Sequence, residues 1–329
     1  MATTVMDMQP ATVPGQQVVY GDPFPLVYAC NAPNVDAASV KHWLDARGTD
    51  LIAQADLHGA ILFRGLPLST AHDFDAFVAA SRLPNFAYRD SLSNAVRVNL
   101  TERVFTANEA PPDFEIYMHH EMAQTPIYPS RLFFFCEKPA EQGGATPICR
   151  SDLLYDKLCG TVPNLAHTCE AKGLKYTNVM PAEADLGSGM GRSWQSTFRA
   201  QIRRDAEQRM GELGYSWEWL ADGSLRATTP TLPATRRLPT GRTSFFNQLI
   251  AASKGWKDAR NDPARSITYG DGSPLDAAEV LAAAELAEQL TFDVPWQAGN
   301  VALVANYVVM HGRRPFTGTR KVLASLIGA

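Results

Sequence analysis

Apolar residues recur at helical spacing from Asp36 onward, at Val40, Trp43, Leu44, Leu51 and Ile52, and predict one or two amphipathic helices there. The period changes in HGAILFRGLPL, where Ala60 to Phe63 forms a short apolar strand stopped by Gly65 and Pro67. STAHDFDAFVAAS returns to helix, with Ser69 or Thr70 as the N-cap and early aspartates favoured by the helix dipole. SRLFFFCEKP, Ser130 to Pro139, predicts a fully buried strand. The glycine-bearing loop EQGGATPICRS leads into another strand and then a helix near Asp152 to Leu158. Asn178 to Gly191, rich in Gly, Ser, Pro and acid, reads as a mobile loop. STFRAQIRRDAEQRMGELG predicts one charged surface helix. DGSPLDAAEVLAAAELAEQL predicts a helix in which Asp276 and Glu279 have cap spacing. The chain then returns to strands at NVALVANYVVMHG and RKVLASLIG.

Residues 1–22 read as a flexible or loosely docked arm. Residues 23–329 show no repeat, low-complexity block or linker and predict a single domain. Strands dominate the middle and the end. The expected class is therefore mainly β with helical insertions: a closed or sandwiched β core under helical cover.

Composition narrows the function. The 329 residues are 45% hydrophobic and 19% charged, ordinary for a globular protein with a sizeable core. A net charge of -4 argues against nucleic acid or an anionic membrane as the main partner. No basic residue precedes Lys41, and no long apolar run occurs, so neither a secretory signal nor a transit peptide nor a membrane span is expected. The five cysteines are scattered with no C-x-x-C pair, which fits buried thiols in a reducing, cytoplasmic setting.

The chemistry concentrates in YMHHEMAQTPIYP, Tyr117 to Pro129. In an extended segment, alternation turns His119 and Glu121 to one side and His120 to the other. Residue 124 is Gln124, so the helical His-Glu-x-x-His zinc pattern is absent. Imidazole plus carboxylate suits iron(II), manganese or zinc, but a pair lacks a third ligand. Of seven histidines, His42, His72 and His167 fall in polar helical segments and His58 reads as structural. His311 ends the apolar run VALVANYVVM, where a ligand can close a three-residue site. Arg320 follows nine residues later and reads either as a surface arginine in a turn or, beside such a site, as a clamp for a carboxylate.

This ordered set, with HHEMAQ, LFFFCE, GGATPI, GRSWQSTF and HGRRPF, resembles the Fe(II)/2-oxoglutarate oxygenases of the taurine dioxygenase (TauD/TfdA) superfamily. Within it, the chain resembles the clavaminate synthase-like and SyrP-like branch, from about Gly59 to the C-terminus. The resemblance implies a double-stranded β-helix (jelly roll) core. It implies His119, Glu121 and His311 as iron ligands, and Thr146 and Arg320 as the seat of the distal carboxylate of 2-oxoglutarate. With Fe(II), 2-oxoglutarate and O2, such enzymes release succinate and CO2 and oxidise an unactivated C–H bond. Related halogenases lack the carboxylate ligand; Glu121 is present here, which points to hydroxylation or desaturation. His120 is left to support or packing.

The chain departs from that pattern in places. Taurine-type enzymes carry a second arginine four residues after the first; here that position is Ala324, which argues against a sulfonate substrate. Gly299-Asn300 and Ala305-Asn306 replace the Gly-Asp and Asp-Asn often found before the distal histidine, altering hydrogen bonds behind the ligands. Asn108 and Glu109 precede the metal motif at a position where relatives touch substrate, and Glu109 suits an ammonium group. Asn178 to Arg192 is a lid candidate; Arg313 and Arg314 receive no assigned role. The expected substrate is a small polar molecule, an amino acid free or tethered to a carrier protein. Two other readings use the same three ligands: a zinc-dependent hydrolase, and a non-catalytic β-barrel binding protein.

Overall fold

The computed structural model describes residues 6–32, 35–93, 95–107, 109–185, 188, 190–255, 260–261 and 265–328. Among the described residues helix and strand take equal shares, 29% each, with the sheets at the centre and the helices outside. One sheet has seven strands in the order Met8–Ala11, Leu26–Cys30, Ala60–Arg64, Val301–Ala305, Arg131–Lys138, Lys321–Ile327 and Phe105–Thr106. A second has four, in the order Phe292–Val294, Thr146–Arg150, Val309–Arg313 and Ile116–His119. A third small sheet joins Leu174–Met180 to Leu225–Thr228, Ser216–Trp219 and Ile267–Tyr269.

The strand Arg131–Lys138 shows why its sequence is apolar throughout. Leu132, Phe134 and Cys136 turn into the core shared with Ile148, Phe292 and Val309 of the four-stranded sheet. Phe133 and Phe135 turn the other way, against Trp43, Leu44, Phe74 and Phe77 of two covering helices. Both faces are buried, so no polar alternation survives. The four-stranded sheet is treated alike. Met118, Cys149 and Met310 leave its outer face to pack with Leu154, Leu158 and Ala283 of the helices behind it. Burying a large side chain of this kind stabilises by about 1.5–3 kcal/mol.

The first covering helix runs unbroken over Ala37–His58, capped by Asp36, whose carboxylate accepts from the Ser39 amide at 2.8 Å. The next, Ala71–Ala80, starts with a full capping box between Thr70 and Asp73. Among the described residues no helix is long and apolar enough to cross a membrane. His42, His72 and His167 are exposed, and His58 is buried with Nδ1 donating to the Pro23 carbonyl at 2.9 Å.

Two expectations fail, and a third is narrowed. The N-terminal arm, read as flexible or loosely docked, is docked in its described part: Met8–Ala11 pairs with Leu26–Cys30, Gln17–Val19 pairs with Asp22–Phe24, and Val13 and Val19 are buried. Edge pairing of this kind needs backbone groups rather than an apolar period. The charged helix is two, Trp194–Phe198 and Arg203–Glu212, broken where Arg199 adopts φ 54°. The apolar run before His311 is also two strands, Val301–Ala305 and Val309–Arg313, in different sheets. His311 thus lies in the middle of its strand. The bend between them, Asn306 to Val308, closes on the Val308 amide bonding the Ala305 carbonyl at 3.0 Å.

Candidate metal centre

His119 ends the strand Ile116–His119 and pairs directly with His311 across the antiparallel ladder. His311 also pairs with Ile148 on its other side. This register places the two imidazoles 4.4 Å apart, centroid to centroid. Glu121 lies in the turn just beyond. One ligand atom from each of His119, Glu121 and His311 falls within 4.8 Å of the others. His311 Nε2 stands 3.4 Å from Glu121 Oε2, and Phe134 meets the His311 ring edge-on at 5.2 Å.

The turn that aims Glu121 is held from behind by Asn306, fully buried in the bend between the sheets. Its Oδ1 accepts from the Glu121 amide at 2.8 Å, and its Nδ2 donates to the carbonyls of Glu121 at 3.0 Å and Pro129 at 2.7 Å. His120 does turn away from the cluster. Its Nδ1 donates to the Asn306 carbonyl and its ring packs on Phe246. Asn300, which with Ala305 departs from the family pattern, caps a tight turn by accepting from the Gln297 amide at 3.1 Å.

Protonation states suit a cation. His119 Nδ1 donates to the Tyr117 carbonyl at 2.8 Å, which leaves Nε2 with its lone pair free. Burial, reinforced by His311, pushes His119 down to about 3, so the ring is neutral at ordinary pH. Burial alone would raise Glu121, but Arg97, His311 and His119 outweigh it and hold the carboxyl well below its usual range. Two imidazoles and one carboxylate are a donor set that fits iron(II), manganese or zinc.

The same cavity is lined by Arg97, Thr146, Arg313 and Arg320, with Ala107, Ile116, Phe134, Gly312 and Val322. Arg320 reaches it across the Gly143–Gly144 turn, its Nε donating to the Gly144 carbonyl at 2.7 Å and its Nη2 to Thr146 Oγ1 at 3.2 Å. Gly144 has φ 68°, and a Cβ there would sit 3.0 Å from Arg320 Cδ and 2.8 Å from the Ala140 Cβ. The glycine is what lets the arginine lie flat on the turn. Trp296 Nε1 donates to the same Thr146 oxygen at 2.8 Å. Burial, then the charge of Arg313, lowers Arg320 to about 10, so it still carries its proton at neutral pH. Among the described residues it forms no ion pair with a carboxylate.

Other expected residues fall elsewhere. Asn108 lies outside the described residues. Glu109 is exposed and does not line the cavity. Arg313 donates to the carbonyls of Ala110, Pro111 and Phe114 and braces that segment. Arg314 faces outward to Glu115, Glu288 and Asp293. Of the lid candidate, Asn178 to Met180 is strand, and Arg192 is anchored by carbonyls of Ser91 and Ser93 at 2.9 Å. Sequence reasoning missed Arg97, whose Nη2 bonds Glu121 Oε1 at 2.8 Å, and the role of Asn306. Arg97 sits in the irregular stretch NAVRVNL, where no periodicity marks it.

Comparison with known proteins identifies the family. Residues 23–326 match the taurine catabolism dioxygenase TauD, TfdA family. A clavaminate synthase-like protein of Arabidopsis thaliana is 38% identical over 327 residues, covering 95% of this chain and 96% of its own. The dapdiamide synthesis protein DdaC of Enterobacter agglomerans is 29% identical over 287 residues, 82% of each chain. Among solved structures, the PvcB protein of Pseudomonas aeruginosa superposes with a TM-score of 0.56 at 12% identity, over 98% of this chain and 91% of its own. At that identity the likeness speaks for the fold. The family match and the plant relative each span nearly the whole described chain: the protein belongs to the taurine catabolism dioxygenase TauD, TfdA family.

Proposed function

We infer that the protein is an Fe(II)- and 2-oxoglutarate-dependent oxygenase on a double-stranded β-helix core. It hydroxylates an unactivated C–H bond of a small polar substrate, an amino acid free or tethered to a carrier protein, with release of succinate and CO2. The observation that carries this reading is Arg320. A partly buried guanidinium that has no carboxylate partner among the described residues shares one cavity with the His119, Glu121 and His311 cluster. A charge partly withdrawn from water and left unpaired is unfavourable, so an anionic ligand is the natural complement.

His119, Glu121 and His311 hold the iron. Arg320 and Thr146 take the distal carboxylate of the 2-oxo acid. When bound, iron and cosubstrate supply the oxidising chemistry that O2 brings to a C–H bond. The chain's own part is placement and dryness. Phe134 and Val322 wall the cavity with apolar surface, and Trp296 fixes the Thr146 hydroxyl. Ala107 lines the cavity; Asn108, the candidate substrate contact from the family resemblance, follows it in sequence and lies outside the described residues. Glu109 points to solvent, which weakens recognition of a substrate ammonium by that residue. The name of the dapdiamide relative supports a biosynthetic role. A hydrolytic zinc site would need a general base, and among the described residues no acid other than Glu121 lines the cavity; Glu121 is taken by Arg97.

The test is an anaerobic titration of the metal-free protein with Fe(II) and then 2-oxoglutarate, followed by visible absorption. A weak charge-transfer band that needs both additions, and disappears in Arg320→Ala, is the expected result. Iron binding with no band on adding 2-oxoglutarate would defeat the oxygenase reading.

A further inference from the structure

Arg97 and Glu121 form a buried pair inside the cavity, with side chains 8% and 4% exposed. The carboxylate is divided between two neighbours. Oε1 accepts from Arg97 Nη2 at 2.8 Å, while Oε2 faces His311 Nε2 at 3.4 Å. We propose that Arg97 is a positioning residue for the metal centre: it occupies one oxygen of Glu121 and so turns the other towards the two histidines. This rests on the reading of His119, Glu121 and His311 as metal ligands.

The guanidinium is itself well fixed. It lies 4.8 Å from the centroid of the Tyr88 ring and 5.3 Å from that of Phe105. Tyr88 donates its hydroxyl to the Ala95 carbonyl at 2.6 Å, which ties the ring to the segment carrying Arg97. Arg192 stacks on the same tyrosine at 5.5 Å. Asn306 fixes the Glu121 backbone but does not touch its carboxylate. A glutamate with a free terminal torsion presents either oxygen, or both; the bond to Arg97 removes that choice.

Two effects of Arg97 on a bound cation oppose each other. Its positive charge repels the ion, and its orientation of the ligand favours it. Residues that orient a metal ligand from behind are each worth about 10–100-fold in affinity. Metal titration separates the two without any turnover. The probe is Co(II) alone, added to the metal-free full chain and followed by its visible d–d bands.

Arg97→Met keeps the stem and loses the donor. It is expected to weaken Co(II) binding by about 10–100-fold and to change the band shape, since the carboxylate is free to turn. Arg97→Lys restores a charged donor to what is a single N–H···O contact, and is expected to recover affinity to within about threefold of wild type. In a Glu121→Ala background, Arg97→Met should cost nothing further, because its effect passes through that carboxylate. Cooperative melting of each metal-free variant checks the fold. Should Arg97→Met not fold, Arg97→Gln, too short to reach Oε1, takes its place with the same expected loss. Equal or tighter Co(II) binding by Arg97→Met overturns the proposal, as does a penalty that survives in Glu121→Ala. Wild type that binds no Co(II) overturns the metal reading itself, a separate outcome.

Discussion

His119 and His311 are direct partners across two neighbouring antiparallel strands, their rings 4.4 Å apart, though 192 positions separate them in the chain. The ladder register sets the spacing of the two imidazoles. A slip of one residue would send one ring to the opposite face of the sheet, among the helices.

That relationship separates three adjacent residues by role. His119→Ala and Glu121→Ala are each expected to weaken Fe(II) binding by more than about 100-fold. His120→Ala should leave the affinity within about tenfold, because its ring faces Phe246 and the Asn306 carbonyl. It should instead lower stability by about 1–3 kcal/mol, leaving a buried carbonyl unsatisfied. Isothermal titration and urea unfolding read the two quantities. Loss of iron binding in His120→Ala with retention in His119→Ala would refute the assignment.

Asn306 satisfies three backbone groups at once, in a position closed to water. Asn306→Ala is expected to cost about 2–4 kcal/mol of stability in the metal-free protein. Asn306→Asp should be worse, since it turns a carboxylate oxygen onto two carbonyls. Denaturant midpoints of the two variants test the order; an aspartate variant as stable as wild type contradicts it.

Acid should destabilise the metal-free protein well above the carboxylate range. Burial lowers both His119 and His120 from 6.5 to about 3. Below pH 6.5 the unfolded chain binds these protons while the folded chain refuses them, so stability falls as pH falls. Each contributes up to about 1.4 kcal/mol per pH unit until its folded value is reached. Glu121, held low in the fold, acts in the same direction at lower pH. Urea unfolding at pH 7, 6 and 5 should show the decline, and His120→Gln should remove about half of it. A flat profile would show that neither ring is kept neutral.

Thr146 links Arg320 and Trp296 through one hydroxyl. Thr146→Val is expected to weaken 2-oxoglutarate binding by about tenfold, from loss of about 1–1.5 kcal/mol of hydrogen bonding. Fe(II) affinity should stay put, since no ligand is touched. Titrating 2-oxoglutarate into the Fe(II)-loaded protein measures it; unchanged affinity would remove Thr146 from the cosubstrate site.

His119, Glu121, Thr146 and His311 each sit in a short motif, Arg320 stands out by its separation from His311, and the structure gathers all five around one cavity. LFFFC was legible through its unbroken apolarity. Interruptions were harder. Ala305-Asn306-Tyr307-Val308 contains no Gly or Pro, and the change of sheet there depends on hydrogen bonds from Asn306 to residues 177 and 185 positions away. Arg199 breaks a helical pattern with one left-handed residue, which propensity does not foresee. Arg97 acts through a partner in another segment, so its own neighbours carry no trace of it. Glu109 suggested a recognition residue from its charge and its place before the metal motif, where relatives touch substrate; its exposure is a property of the fold.

Val301–Ala305 belongs to one wall of the core and Val309–Arg313 to the other, with a three-residue bend between them. Asn306 in that bend grips Glu121, and His311 lies just beyond it. The two walls therefore cannot shear past one another without altering the ligand spacing. The site inherits the low compressibility of a packed interior rather than the compliance of a loop. A cation entering there would meet ligands already held in place by the core.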